Sequence, residues 1–389
     1  MVLDPWKNKE KHESWKETKK LEGISKYNAE LIIEFLDDME KGYNVSRPGV
    51  RSYARLNGLR HRMRWMAFKM ENIYKKDRIP DLTRKEISEF FNISMRKGKI
   101  KNRAGKSYTS VPDYVKVFKS FWHWYQRREY EKDIIIHDKT SYLDTSPVKD
   151  NEFVYLTVKD VKRLGDNAKH DYKTLIWFLF DSGIRSPKEL MNVKVNDLSL
   201  DDNSDNFELN IREETSKTFG RKIKLLLSSQ LLKEHIEAKQ LKDEDFIFQI
   251  YPKAVSQYLR RLAVRVLGDK KTKGGGRIKN IRMYDFRHSS ACYWLPRYKS
   301  ESSLKYRFGW KMTNMIHHYT KLLGMKDTIE ENDILLESEA KTRLEKEVDK
   351  LKKQTDLMQE KHNAEINAIK ENLKNDLMKE IVDKMKNIK

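Results

Sequence analysis

Five side chains, far apart along the chain, are of types that could do chemistry on a charged substrate. Tyr319 stands in "RFGWKMTNMIHHYTK", Arg307 to Lys321, where a phenol is either one more helix aromatic or a nucleophile. Arg185 follows an apolar run and a glycine in "SGIRSPKEL", and Lys217 lies at a turn in "SKTFGRK". Arg287 sits in "MYDFRHSSACYWL", and Trp310 follows Gly309 in "FGW". A guanidinium is always charged and can grip a phosphate bidentately. Singly, none of the five is informative: a lone helix arginine is more often an ion-pair partner, and a lone tryptophan is nearly always core.

The bulk charge says what kind of substrate to consider. Lys and Arg total 80 against 59 acidic residues, a net of +21 over 389 residues. From Lys341 onward there are 13 basic and 10 acidic residues, so +18 lies in the body, where folded domains carry it. An excess of this size favours a polyanion, because each neutralised phosphate releases condensed counterions. A merely soluble surface is the bland alternative. One cysteine, Cys292, excludes a disulfide framework and a thiolate zinc site. No apolar run approaches the roughly 20 residues of a membrane span, and the first 20 residues lack a signal-peptide core. A cytoplasmic protein without membrane contact is expected.

The elements that must position the five follow from periodicity. Residues 1–25 are polar and expected to be loosely ordered. Residues 26–135 show apolar residues at steps of three and four in four stretches, with Thr83 and Glu86 spaced as a capping box, and predict an all-helical domain. Its second stretch interleaves Arg51, Arg55, Arg60, Arg62, Arg64 and Lys69 with aromatic and aliphatic residues, a face suited to a sugar-phosphate backbone or simply to solvent. A Pro-containing linker, 136–152, precedes a second domain at 153–328. There Thr157 and Asp160 read as a helix start, Gly183 as a helix end, and the alternation around "TSKTFG" as a β-hairpin or small sheet. "DKKTKGGGRIKN" reads as a flexible basic loop. Residues 329–389 keep an apolar stripe through Leu344, Val348, Leu351, Met358, Ile366, Ile369, Leu373 and Leu377, which predicts a coiled coil or a single long helix. The fold class is therefore mainly α with a small β-sheet.

The order and spacing of Arg185, Lys217, Arg287, Trp310 and Tyr319 resemble the tyrosine recombinase (phage integrase) family. Arg287 to Trp310 is 23 residues and Trp310 to Tyr319 is nine, the intervals that family shows. The resemblance spans about residues 25–325. It implies a helical SAM-like core-binding domain, a mixed α+β catalytic domain, and cleavage of duplex DNA without metal or nucleotide cofactor. It further implies that Arg185 and Arg287 clamp the phosphate and Tyr319 attacks it to give a 3′-phosphotyrosine. Lys217 would protonate the leaving 5′-oxygen and Trp310 would donate its indole N–H. A homotetramer on two DNA sites is the family's working form, and the C-terminal helix would self-associate or bind a partner helix.

Two departures point to a divergent branch, Xer-like, archaeal or from a mobile element. The family's histidine in His-x-x-Arg is Tyr284 here, and a phenol, titrating near pH 10, is a poorer proton acceptor than an imidazole. The acidic residue three positions after the first arginine is Lys188, with Glu189 one further on as a substitute. The base that serves Tyr319 is left open; His317 is one candidate. A metal held by His288, His317 and His318 is discounted for want of carboxylates. Rival functions are a non-catalytic DNA-binding protein built on a decayed integrase, and relaxation of DNA in the manner of a type IB topoisomerase.

Overall fold

The amphipathic stretches of the first third become helices, and the capping box expected at Thr83 and Glu86 forms. The computed structural model describes residues 2–323, apart from 45–48, 148–151, 203 and 299, together with scattered positions between 351 and 370. The helices are α1 (Asn8–Thr18), α2 (Lys26–Lys41), α3 (Tyr53–Tyr74), α4 (Arg84–Ser88) and α5 (Val111–Tyr130), with a π-helical stretch at Glu89–Met95. Ser25 and Ser52 accept hydrogen bonds from the backbone N–H groups of Asn28 and Arg55, and Thr83 with Glu86 forms the capping box. Phe35, Phe118, Phe121, Trp122 and Trp124 fill the core, with Phe35 edge-on to Phe121 at 5.5 Å.

The first 25 residues differ from expectation. They contain α1, which buries His12 against Trp15 and Tyr53, while Leu21 enters the helical core. Leu3 is clasped further along the chain: its N–H donates to Asn192 Oδ1 (2.6 Å) and its carbonyl accepts from Asn192 Nδ2 (3.0 Å). The charged composition hid a short apolar set that needs only one face of one helix. The linker is also tied down in part, since Leu143 is buried and Tyr142 Oη donates to the Arg84 carbonyl.

The second core is built on α6 (Val158–Asp166), α7 (His170–Ser182) and α8 (Lys188–Met191), then a sheet of β1 (Leu198–Leu200), β2 (Phe207–Ile211) and β3 (Arg221–Leu225). After it come α9 (Ser229–Ala238), α10 (Pro252–Leu267), α11 (Met283–Trp294), α12 (Glu301–Phe308) and α13 (Asn314–Leu323). The sheet is antiparallel in the order β1-β2-β3, with Leu209 opposite Ile223. Alternation along β3 buries Arg221, Ile223 and Leu225 and exposes Lys222 and Lys224. Helix α7 is apolar nearly all round because it is central, with Leu175, Ile176, Phe178, Leu179 and Phe180 all buried. The loop expected to be flexible is pinned instead. Phe153 N–H donates to Gly274 (2.9 Å), Gly276 N–H donates back to Phe153 (3.0 Å), and the backbones of Lys271 and Arg277 pair in an isolated antiparallel β-bridge.

The chain divides into two units, Met1–Gly324 and Met325–Lys389. In the second, the described positions from 351 to 370 are helical, with Leu351, Met358, Ile366 and Ile369 exposed. The remaining heptad positions, Leu344, Val348, Leu373 and Leu377, lie outside the described residues. Among the described residues no helix is long and apolar enough to cross a membrane.

Candidate active site

Two helix ends bring the arginines together. Helix α7 stops at Gly183 with φ +57°, where an added Cβ would lie 2.3 Å from Phe308, so only glycine fits the turn that leads into Arg185. Helix α12 stops at Gly309 with φ +59°, leaving the Phe308 and Gly309 carbonyls free of helical partners. Arg287, on α11, donates from Nη1 to Gly183 O (2.6 Å) and from Nη2 to Phe308 O (2.5 Å). Arg185 donates from Nη2 to Gly309 O (2.7 Å). Residues 102 positions apart thus hold successive carbonyls of one turn. Burial pushes the Arg287 guanidinium down to about 10, which leaves it charged at neutral pH.

Glu189 is the hub beneath them. It accepts from Arg185 Nη1 (2.9 Å) and the Arg185 N–H (2.8 Å), and from Arg221 Nη2 (3.0 Å). Its side chain is 2% exposed and that of Arg221 is 0% exposed. Burial by itself would raise the Glu189 carboxyl, but Arg221 and its hydrogen bond, with Arg185, hold it below the ordinary carboxylate value. Glu189 therefore orients Arg185, the part expected of it. Arg221 escaped the sequence reading, although the alternation of "RKIKL" places it on the inward face. A second buried pair, Arg307 with Asp181 (3.2 Å), ties α12 to α7.

The β2–β3 turn reaches the same place. Ser216 Oγ donates to Glu189 Oε1 (3.2 Å) and Thr218 Oγ1 to Gly309 O (2.9 Å), so both neighbours of Lys217 are anchored. Lys217 itself is exposed and pairs with nothing among the described residues.

Tyr319 occupies a small apolar cluster and is 1% exposed. Trp310 is sandwiched between Phe308 (4.8 Å, 18°) and Tyr319 (5.5 Å, 19°). Phe153 lies edge-on to Tyr319 at 6.2 Å. The hydroxyl is 2.7 Å from His288 Nδ1, and burial raises the phenol well above its usual range. His288 was not foreseen as a partner of Tyr319. It is four residues after Tyr284 on α11, hence on the same helix face, and that spacing was the available signal. The Tyr284 ring lies edge-on to it at 5.1 Å, with Tyr284 40% exposed. His317 is exposed and makes no bond to Tyr319, so the structure does not bring that candidate base to the phenol.

The basic residues of α3 do not form one face. Arg60 is buried with its guanidinium 4.6 Å from the Trp15 ring centre, and so does not belong to a surface for DNA. Arg64 donates to the Glu22 carbonyl (2.8 Å), and Lys69 lies 5.6 Å from the Phe68 ring centre. Arg51, Arg55 and Arg62 cluster closely enough to repel, with Arg62 also 3.8 Å from Asp113. A cleft of about 770 Å³ beside Tyr284 is lined by Lys7, Lys11, Lys253, Arg260 and Arg282.

No family model and no curated relative matches the sequence. Solved structures do. The Tn1549 transposon integrase in complex with transposon right end DNA is similar at TM-score 0.53 and 15% identity, over 77% of this chain and 95% of that one. XerH site-specific recombinase in a post-cleavage complex with its palindromic difH substrate is similar at 0.52 and 14%, over 77% and 95%. A lambda integrase dimer bound to a COC′ core site is similar at 0.52 and 16%, over 78% and 79%. The fold that carries these side chains is that of the tyrosine recombinases and integrases.

Proposed function

We propose that the protein is a site-specific DNA recombinase that cleaves and rejoins duplex DNA through a 3′-phosphotyrosine on Tyr319. One observation carries the reading. Arg185 and Arg287 converge on the Phe308–Gly309 turn, and the next residue, Trp310, stacks on Tyr319. Two permanent positive charges, an indole donor and a phenol then share one locus, the set needed to neutralise a phosphorane and attack it. Arg185 and Arg287 stabilise the non-bridging oxygens, Lys217 protonates the leaving 5′-oxygen, and Trp310 and Tyr284 donate hydrogen bonds to the phosphate. The similar XerH and integrase structures hold DNA, as this chain's charge of +21 equips it to do. Arg51, Arg55, Arg62 and the basic cleft contact the backbone, and the working form is a homotetramer on two sites.

A decayed, purely DNA-binding protein is the competing reading, favoured by the burial of Tyr319. A nicked duplex that traps the covalent adduct separates the two. Wild type should accumulate a protein–DNA adduct, in EDTA as well as without it, and Tyr319→Phe should form none. An adduct that survives in Tyr319→Phe refutes the assignment, and no adduct from wild type on its selected site supports the rival.

A further inference from the structure

We infer that His288 is the catalytic group that accepts the Tyr319 proton in cleavage and returns it in rejoining; this rests on the recombinase reading above. His288 Nδ1 lies 2.7 Å from the Tyr319 hydroxyl, the one hydrogen bond that hydroxyl makes among the described residues. A buried phenol with one available acceptor donates to it, which assigns the imidazole proton to Nε2 and leaves Nδ1 the lone pair. Burial, with His318 and Arg287 adding to it, pushes the imidazole down to about 4, so it is neutral at rest with Nδ1 unprotonated.

Two aromatic rings hold the imidazole in that orientation. Phe153 stacks on it at 4.5 Å, and Phe153 is fixed by the hydrogen bonds to Gly274 and Gly276. Tyr284 packs edge-on against the imidazole at 5.1 Å. The glycine-rich loop, which has no partner in the proposed chemistry, thereby acquires a purpose: it seats the ring that seats the base. His288 also follows Arg287 directly, so one helix delivers the phosphate clamp and the proton acceptor together. The candidates that the sequence offered fare worse. His317 faces solvent, His318 meets Tyr319 only ring-to-ring at 5.2 Å, and Tyr284 is a phenol.

In cleavage the Tyr319 Oη–phosphorus bond forms and the phosphorus–O5′ bond breaks. The phenol proton passes to His288 Nδ1, and the 5′-oxygen takes a proton from Lys217. In rejoining the 5′-hydroxyl attacks phosphorus and gives its proton back to Lys217. The phosphorus–Oη bond breaks, and protonated His288 returns its proton to Tyr319.

The test uses the full chain on a nicked duplex carrying the site it selects from random DNA. His288→Ala and His288→Gln should both slow adduct formation about 100-fold or more, since glutamine restores a hydrogen-bond acceptor but cannot take the proton. A second substrate, a strand ending in a 3′-p-nitrophenyl phosphate opposite a 5′-hydroxyl, has a leaving group that needs no proton. In the Tyr319→Phe background, His288→Ala should slow this rejoining far less than it slows adduct formation, while Arg287→Lys slows both. Unslowed adduct formation, or equal slowing of both reactions by His288→Ala, overturns the assignment. Failure of the wild type to form any adduct removes the recombinase reading first, and this one with it.

Discussion

Arg185 and Arg287 sit in a lattice of charges and carbonyls, whereas Tyr319 leans on rings and its hydroxyl makes one hydrogen bond among the described residues. The arginines are over-determined. Their guanidiniums reach three backbone carbonyls, and Glu189 binds Arg185 and Arg221 at once. Directional bonds in a low-dielectric interior fix geometry tightly, because a displaced charge has nowhere to be solvated. Tyr319 is held by stacking on Trp310, by Phe153 and by His288, contacts that fade gradually with displacement. The difference suits the two tasks. In the proposed reaction the clamp works by being preorganised, while the phenol, 1% exposed, has to shift toward phosphorus with His288 still in reach.

The largest break in that comparison comes from the hub. Glu189→Ala strands Arg221, whose side chain has no solvent exposure, and removes the partner of Arg185. Loss of one member of a buried ion pair costs about 3–5 kcal/mol, readable as a fall in the urea midpoint, and adduct formation should fail along with it. Arg287→Lys comes next. A point charge cannot bridge Gly183 and Phe308 as the guanidinium fork does, so the adduct rate should fall about 100- to 1,000-fold, the usual effect of losing one preorganised donor. A smaller loss than Glu189→Ala in stability, with a clear loss in rate, would match a clamp; a loss in stability alone would make Arg287 a structural tie between α7 and α12.

Trp310→Phe probes the softer side. A phenyl ring keeps the stack between Phe308 and Tyr319 but removes the indole N–H, a donor without a partner among the described residues. If that donor meets a phosphate oxygen, the adduct rate drops about ten- to hundredfold, with stability changed by about 1 kcal/mol or less. An unchanged rate would reduce Trp310 to packing.

How much of this was legible depended on how local each signal was. Thr83, Thr157 and Gly183 announce helix boundaries within three residues, and the hairpin is written in the alternation of "FELNI" and "RKIKL". Arg60 could have been read as buried, since it falls on the stripe with Leu56 and Met63 rather than opposite it. The Arg307–Asp181 pair could not, because its members are 126 residues apart and nothing near either names the other. His288 was half legible. Its place one turn beyond Tyr284 is in the sequence, but that its Nδ1 meets Tyr319 depends on how α11 packs on α13, which no periodicity states.

The last expected effect concerns the proton on that histidine. Its ordinary value is 6.5, and burial brings it to about 4 in the folded chain. Between those values the unfolded chain holds a proton that the folded chain rejects, so stability is complete above about pH 6.5 and falls as pH drops toward 4. The loss attributable to His288 is about 3 kcal/mol once both values are passed. His61 and His235 are lowered in the same direction, but they are common to wild type and His288→Gln and cancel in the difference. Urea midpoints at pH 7 and pH 5 should therefore fall more for wild type than for His288→Gln. Equal falls would mean that the imidazole is charged in the folded chain, and then the soft side of the site would hold Tyr319 through an ion, much as the hard side holds its arginines.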